Sequence, residues 1–266
     1  MPVKEKPTTP TSQDAGSHRR QPRRLFVTGT DTGVGKTFVA AALILGLRRS
    51  GHTVVPMKPL ESGCRMVDGQ LFPEDAMRLH LAAGGDPNDD DALAKVCPYR
   101  LAAPLAPAVA AEKEGIRIDE RTILEAADAL QREAGPDSIL VIEGAGGLLV
   151  PAYPGRCMAD LARLLGARLL IVARSSLGTV NHTLLTLEAA RHRDLEIAGI
   201  VLNDYPRPAA EDASLPYNEA TIETLGGAPV LGHLPYVESA ANGEIDWTKT
   251  ALDSCLAAAV EAVARL

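Results

Sequence analysis

The stretch FVTGTDTGVGKTFVAAALILGLRRSG, residues 26–51, joins an apolar run, a glycine-rich loop and an alanine-rich segment with helical character. In a phosphate-binding loop, glycines let successive backbone N–H groups point inward at a helix N-terminus and cradle phosphate oxygens. The usual loop has four residues between its first glycine and Gly-Lys-Ser/Thr, whereas Gly29 and Gly35 enclose five. We interpret this loop as a nucleotide site. An ordinary glycine-rich turn before a helix is the alternative.

The two residues after the last loop glycine carry the chemistry of such a site. Lys36 would reach the β and γ phosphates, and the Thr37 hydroxyl would ligate Mg²⁺. The loop also lies between a strand-like run, RLFVT, and a helix-like segment. The sequence therefore provides the structural context that the motif requires.

Composition restricts the class of protein. The 266 residues suffice for one sizeable domain, with 46% apolar residues but only 3% aromatic ones, so the core must consist of Ala, Leu, Val and Ile. The net charge of −7 disfavours nonspecific binding to nucleic acid and to anionic membranes. The longest apolar run, residues 38–47, is too short to span a bilayer. Four scattered cysteines fit a reducing compartment. We expect a cytoplasmic protein without nucleic-acid or membrane partners.

Residues 1–24 differ from the rest of the chain. They are polar, rich in Pro, Ser and Thr, and end in a basic cluster, Arg19, Arg20, Arg23 and Arg24. We predict a disordered tail; organelle targeting is the alternative, and Glu5 and Asp14 weaken it. Residues 25–266 are predicted to form a single domain.

Past the tail, short apolar runs alternate with amphipathic segments. We predict a doubly wound α/β fold, with a mainly parallel sheet and helices on both faces, because runs such as ILVIE and LLIVA suit strands buried on both faces. The predicted strands are 25–28, 53–57, 138–142, 168–173, 197–202 and 230–231. The predicted helices are 36–50, 73–83, 104–113, 119–134, 157–165, 179–193, 216–225 and 249–264. Ligands of such sheets bind beyond the carboxyl ends of the strands.

Polar residues follow several of these strands. Lys58 comes directly after the second strand and before Pro59, so it would point across the sheet edge toward the phosphates; a solvated turn lysine is the alternative. Ser62 follows in a loop that can approach a ligand. Asp75 is most simply a favourable residue in the first turn of a helix. Glu143 ends the third strand before a run of glycines, where it could reach Mg²⁺, although a solvated acid in a tight turn is the alternative.

The later strands add further candidates. The helix after the fourth strand begins near Gly178, and its free N–H groups could bind a carboxylate. His182 in that helix is interpreted as structural. Asn203 follows the fifth strand and could contact an adenine through its amide, and a turn-forming Asn-Asp pair is the competing interpretation.

Taken together, the segments GTDTGVGKT, KPLESG, EDA, VIEGAGG, LGTVNHTLLT, VLND and GHLP resemble, in that order, the motifs of the dethiobiotin synthetase family, which belongs to the P-loop NTPases. The resemblance extends from about residue 25 to 236. Five residues between Gly29 and Gly35 is this family's own variant of the loop. The resemblance implies an ATP- and Mg²⁺-dependent ligase that joins 7,8-diaminopelargonate to CO₂ (or bicarbonate) through a carbamoyl-phosphate, in a homodimer.

The resemblance also implies roles for individual residues. Lys36 and Lys58 would be catalytic, and Thr37, Asp75 and Glu143 would hold the metal. The substrate would contact Thr32, Ser62, Leu177, Gly178 and Asn181, the last three across the dimer interface. ATP would be bound by Gly33, Val34, Gly35, Lys36, Thr37, Phe38, Asp75, Glu143, Gly144, Ala145, Gly146, Asn203, Asp204, Pro235, Tyr236 and Val237. For the family's further acidic nucleotide contact, the segment near Asn242 is ambiguous and no residue is assigned.

Three alternatives compete with a ligase of this kind. A partitioning ATPase of the same fold class usually has an additional lysine early in the loop, where this chain has Thr30 and Asp31. A corrin-amidating ligase needs a glutaminase domain, for which 266 residues leave no space. A nucleotide-gated interaction module would not need Lys58 and Glu143 beside the loop.

Overall fold

The computed structural model describes residues 23–238 and 254–266. Its centre is a six-stranded sheet in the order β12-β11-β10-β1-β7-β2, in which every neighbouring pair is parallel. The strands of this sheet are β1 (Arg24–Gly29), β2 (Val54–Met57), β7 (Ile139–Gly147), β10 (Arg168–Arg174), β11 (Ile197–Asn203) and β12 (Val230–Leu234). These are the six strands predicted from the sequence, and the doubly wound fold is confirmed.

The helices lie between the strands. They are α1 (Lys36–Arg49), α2 (Glu74–Ala82), α3 (Asp90–Val96), α4 (Pro107–Glu114), α5 (Glu120–Ala134), α6 (Met158–Leu164), α7 (Thr179–Arg191), α8 (Leu215–Gly226) and α9 (Ala257–Ala264). Helix α3 was not predicted; its seven residues are too few for a clear apolar period. The first part of the last predicted helix, 249–253, lies outside the described residues.

Three small two-stranded sheets supplement the central one. They pair β3 (Leu60–Ser62) with β6 (Tyr99–Leu101), β4 (Arg65–Val67) with β5 (Gln70–Phe72), and β8 (Pro151–Tyr153) with β9 (Arg156–Cys157). None was predicted, because two or three residues are too few to show an alternating pattern.

Each face of the central sheet packs against helices because side chains alternate along its strands. On β1, Leu25 and Val27 pack in one apolar core with α1 and α9, while Phe26 packs on the opposite face with α5 and α6. All three β1 side chains are fully buried. This two-sided burial explains why the strands appear in the sequence as uninterrupted apolar runs.

The first strand begins one residue earlier than predicted. Arg24, grouped above with the basic tail, is the first residue of β1, and its guanidinium is buried where it donates to Gln131, Asp128 and the Leu165 carbonyl. Residues 1–22 of the predicted tail lie outside the described residues. Within the described ranges, no helix is both long and apolar enough to cross a membrane.

Parallel pairing places the carboxyl ends of the strands at one edge. Pairing of β2 with β7 sets Met57 opposite Ile142, and pairing of β1 with β7 sets Val27 opposite Glu143. Lys58, which follows β2, is therefore next to Glu143, and both are next to the loop that follows β1.

Candidate active site

The loop between β1 and α1 closes tightly around its own lysine. Gly35 adopts a positive φ of 85°, and a Cβ there would lie 2.1 Å from Asn203 Nδ2. Lys36 is the first residue of α1, and its Nζ donates to the Asp31 carbonyl at 3.1 Å. A side chain at position 35 would thus meet both strain and a clash, which explains why glycine occupies it.

Lys58 is the centre of a buried ionic cluster. Its Nζ donates to Glu143 Oε1 at 2.6 Å and to Asp75 Oδ2 at 3.0 Å. The Thr37 hydroxyl donates to the same Glu143 oxygen at 2.9 Å. Lys58 is 3% exposed and Glu143 1% exposed. Four residues that are distant in the sequence therefore share one set of polar contacts, while the catalytic and metal-binding roles that the resemblance implies for them remain predictions.

The cluster perturbs the protonation of its members. Burial opposes the charge of Lys58, but attraction from Glu143 and Asp75 outweighs it, so the pKa of Lys58 is raised. Burial also opposes the charge of Asp75, but Lys58 holds the pKa of Asp75 below its usual value. Burial, followed by repulsion from Lys58, lowers the pKa of Lys36 to about 8. Burial raises the pKa of Glu143.

One member of the cluster was not singled out in the sequence. Glu61 is 5% exposed, and its two carboxylate oxygens accept from the backbone N–H groups of Asp75 and Ala76 at 3.0 and 2.9 Å. Burial raises its pKa to about 7. The sequence shows only an acid between Leu60 and Ser62 in the segment KPLESG. Such an acid by itself resembles a polar loop residue.

Asn203 contacts the loop rather than solvent. Its Nδ2 donates to the Val34 carbonyl at 2.9 Å, while its Oδ1 is buried and accepts no hydrogen bond from any described residue. Its neighbour Asp204 turns elsewhere and accepts from Ser175 and His233. The amide nitrogen of Asn203 thus holds the loop, and only its oxygen remains for a ligand.

These residues surround one cavity of about 380 Å³. Of the residues predicted to form the site, those that line the cavity are Thr32, Gly33, Gly35, Lys36, Thr37, Phe38, Lys58, Ser62, Asp75, Glu143, Ala145, Gly146, Asn203, Pro235, Tyr236 and Val237. Glu61, Arg78 and Tyr205 also line it. Val34, Gly144 and Asp204 do not line the cavity. The Val34 carbonyl nevertheless accepts from Asn203 Nδ2, and the Gly144 carbonyl accepts from Lys58 Nζ.

Comparison with known proteins places the chain in a family. A family model described as an AAA domain matches residues 23–243. An ATP-dependent dethiobiotin synthetase of Anaeromyxobacter dehalogenans (strain 2CP-C) is 48% identical over 240 residues, covering 90% of this chain and 99% of the relative. The dethiobiotin synthetase of Aromatoleum aromaticum is 38% identical over 226 residues, covering 85% and 96%. The chain belongs to the ATP-dependent dethiobiotin synthetase family.

This member of the dethiobiotin synthetase family resembles solved structures of other proteins in fold alone. The MinC:MinD cell division complex of Aquifex aeolicus superposes with a TM-score of 0.53 at 16% identity, covering 91% of this chain and 94% of the other. The MinD protein of the same organism gives 0.51 at 17% identity, covering 91% and 95%. At identities this low, the superpositions show a shared fold and carry no information on activity.

Three residues predicted to contact the substrate lie away from the cavity. Leu177 is 77% exposed, and its backbone N–H donates to Asp212 at 2.8 Å. Gly178 and Asn181 are also exposed, at the start of α7. Contact across a dimer interface, which the family resemblance implies for them, remains a prediction.

Proposed function

We propose that the chain makes dethiobiotin from 7,8-diaminopelargonate, CO₂ and ATP, releasing ADP and phosphate. Family membership supports the activity. The observation that carries the mechanism is the burial of Lys58 between Glu143 and Asp75, beside the phosphate loop and in the same cavity. A cation fixed there would stabilise the two anions that the reaction brings together, a carbamate and the γ-phosphate.

The proposed reaction has three steps. A substrate amine adds to CO₂ and loses a proton, giving a carbamate. A carbamate oxygen then attacks the γ-phosphorus, and the bond from that phosphorus to ADP breaks. Finally the second amine attacks the carbamoyl carbon, loses a proton and expels phosphate, which closes the cyclic urea. No step needs a covalent bond to the protein, so the residues act through charge and alignment.

Two lysines would supply fixed positive charge. Lys36, at the N-terminus of α1, would contact the β and γ phosphates together with the backbone N–H groups of the loop. Lys58 would stabilise the charge that develops between carbamate and γ-phosphate. Both are buried, and in a water-poor site such charges act more strongly than in bulk water.

The oxygen donors fit magnesium. Within residues 23–238 and 254–266, no three His, Cys, Asp or Glu side chains are grouped as metal ligands. Mg²⁺, however, needs only one or two carboxylates alongside phosphate oxygens and water. Thr37, Asp75 and Glu143 offer a hydroxyl and two carboxylates, and Glu143 Oε2 is buried without a hydrogen bond to any described residue. When bound, Mg²⁺ would neutralise charge on the β and γ phosphates.

The rest of the site is proposed from the resemblance. Thr32 and Ser62 line the cavity and would contact the diamine. Leu177, Gly178 and Asn181 would contact it from the second subunit of a homodimer. A cytoplasmic location belongs to the same proposal.

ATP hydrolysis assayed with diaminopelargonate and bicarbonate, each omitted in turn, tests this function. We expect phosphate release to require both, and dethiobiotin to form in equal amount. Phosphate release that is unchanged without the diamine would instead indicate an ATPase of another kind.

A further inference from the structure

The ammonium group of Lys58 lies among the oxygens that the proposed function assigns to Mg²⁺. Its Nζ donates to Glu143 Oε1 at 2.6 Å and to Asp75 Oδ2 at 3.0 Å. The hydroxyl of Thr37, the third proposed metal ligand, donates to the same Glu143 oxygen at 2.9 Å. The three proposed ligands therefore belong to one hydrogen-bonded cluster that already contains a cation.

The charge of this cluster disfavours a second cation beside the first. Glu143 and Lys58 are 1% and 3% exposed, so water and salt screen the cluster very little. An ammonium group and a metal ion on the same carboxylate would lie only a few ångströms apart, where like charges repel strongly in a site with little water. Lys58 and Mg²⁺ would therefore compete for these oxygens.

Each carboxylate also has an oxygen that does not accept from Lys58. Glu143 Oε2 is buried and accepts no hydrogen bond from any described residue, and Asp75 Oδ1 lies 3.8 Å from the Arg78 guanidinium. These oxygens let a metal ion approach before the ammonium group has left. They do not remove the competition, because the two oxygens of a carboxylate share one charge. An approaching ion would thus weaken the attraction that holds Lys58.

The side chain of Lys58 has a space to move into while its backbone stays fixed. Its backbone N–H donates to the Val96 carbonyl at 2.8 Å, which ties the main chain to the end of α3. Its side chain lines the cavity of about 380 Å³, together with Lys36 and Ser62. A flexible four-carbon stem lets an ammonium group change position without any movement of the main chain.

We propose that Lys58 occupies the metal position when no metal is bound, and yields it to Mg²⁺ by turning its ammonium group into the cavity. The proposal rests on the metal site and the catalytic role of Lys58 proposed above, and it links the two. Glu143 and Asp75 then always have the counter-charge that buried carboxylates need. The charge of Lys58 reaches the carbamate and the γ-phosphate only with the metal in place, so metal binding completes the catalytic site.

Binding of Mg²⁺ alone to the full chain, measured by calorimetry and by the shift of the urea midpoint, tests this exchange. Lys58→Met removes the competing charge and keeps a side chain of similar length. We expect it to bind Mg²⁺ at least about tenfold more tightly than the unmodified chain, because one repelling charge is gone. Lys58→Arg keeps the charge and should show no such gain. Lys95→Met removes the lysine of an exposed pair with Glu133 and should bind Mg²⁺ as the unmodified chain does.

Acetylation of lysines, followed by mass spectrometry, gives a second readout that needs no variant. Lys58 should react several-fold faster with Mg²⁺ and ADP present than with ADP and a chelator, whereas Lys95 should react equally in both. A folded Lys58→Met that gains no Mg²⁺ affinity, or a Lys58 whose acetylation does not respond to Mg²⁺, would overturn the exchange and leave the metal site as proposed. If neither the unmodified chain nor Lys58→Met binds Mg²⁺, the metal site itself is wrong and the exchange falls with it.

Discussion

Replacement of Lys58 by glutamine tests the central element of the mechanism. Glutamine keeps a polar side chain of similar reach but removes the charge that Glu143 and Asp75 contact at 2.6 and 3.0 Å. Removing one positioned charge from a water-poor site costs about 3–4 kcal/mol of transition-state stabilisation, or roughly 10²–10³ in rate. We therefore expect kcat for dethiobiotin formation to fall by that factor.

The phosphate loop should still work in this variant. Lys36 keeps its hydrogen bond to the Asp31 carbonyl without Lys58, and loss of the repulsion from Lys58 favours the charged form of Lys36, so the KM for ATP should change by only a few-fold. Loss of the cation also leaves two carboxylates without their partner, and breaking a buried ion pair costs about 3–5 kcal/mol of folding free energy. Urea unfolding should accompany the kinetics, so that lost catalysis is measured on folded protein.

A surface lysine provides the control. Lys95 also contacts a carboxylate, Glu133, at 2.7 Å, but this pair is exposed, and exposed pairs contribute little. Lys95→Gln should leave kcat and KM unchanged. Full activity of folded Lys58→Gln, or a loss confined to the KM for ATP, would refute the catalytic role that we assign to Lys58.

Two further predictions concern the same cluster. The pKa of Lys36 is lowered to about 8, so Lys36 loses its charge as the pH rises through 8. The ATP affinity of the free enzyme should then fall by up to roughly tenfold per pH unit. Calorimetry that shows constant affinity from pH 7 to 9.5 would contradict this. Glu61 accepts from the backbone N–H groups of Asp75, a proposed Mg²⁺ ligand, and of Ala76. Glu61→Gln places an amide against these N–H groups and disturbs the position of Asp75, so the Mg²⁺ concentration that gives half-maximal activity should rise several-fold. Glu114→Gln, which alters a similar pair of backbone contacts at Ala102 and Ala103, should not change it, and equal Mg²⁺ curves for both variants would argue against a positioning role for Glu61.

Most of the architecture could be predicted because its signals are local. Residues 139–142 are fully buried in β7, and a strand buried on both faces must be apolar throughout. The pair of β3 with β6 and the short helix α3 could not be predicted, because they have too few residues for a pattern. Glu61 was missed for a related reason, since nothing near it in the sequence shows that Asp75 and Ala76 donate to it.

The sequence by itself determined which residue follows which strand: the loop after β1, Lys58 after β2, Glu143 at the end of the apolar run in β7, and Asn203 at the end of β11. Only the tertiary structure decided which of these residues meet. Strand order is set by long-range pairing, and β7 between β1 and β2 is what brings Lys58 against Glu143, which also accepts from Thr37. Likewise Tyr205 and Tyr236 come together from the segments that follow the neighbouring strands β11 and β12. Hydrophobic periodicity is a property of adjacent residues, whereas the geometry of a site depends on contacts between segments far apart in the chain.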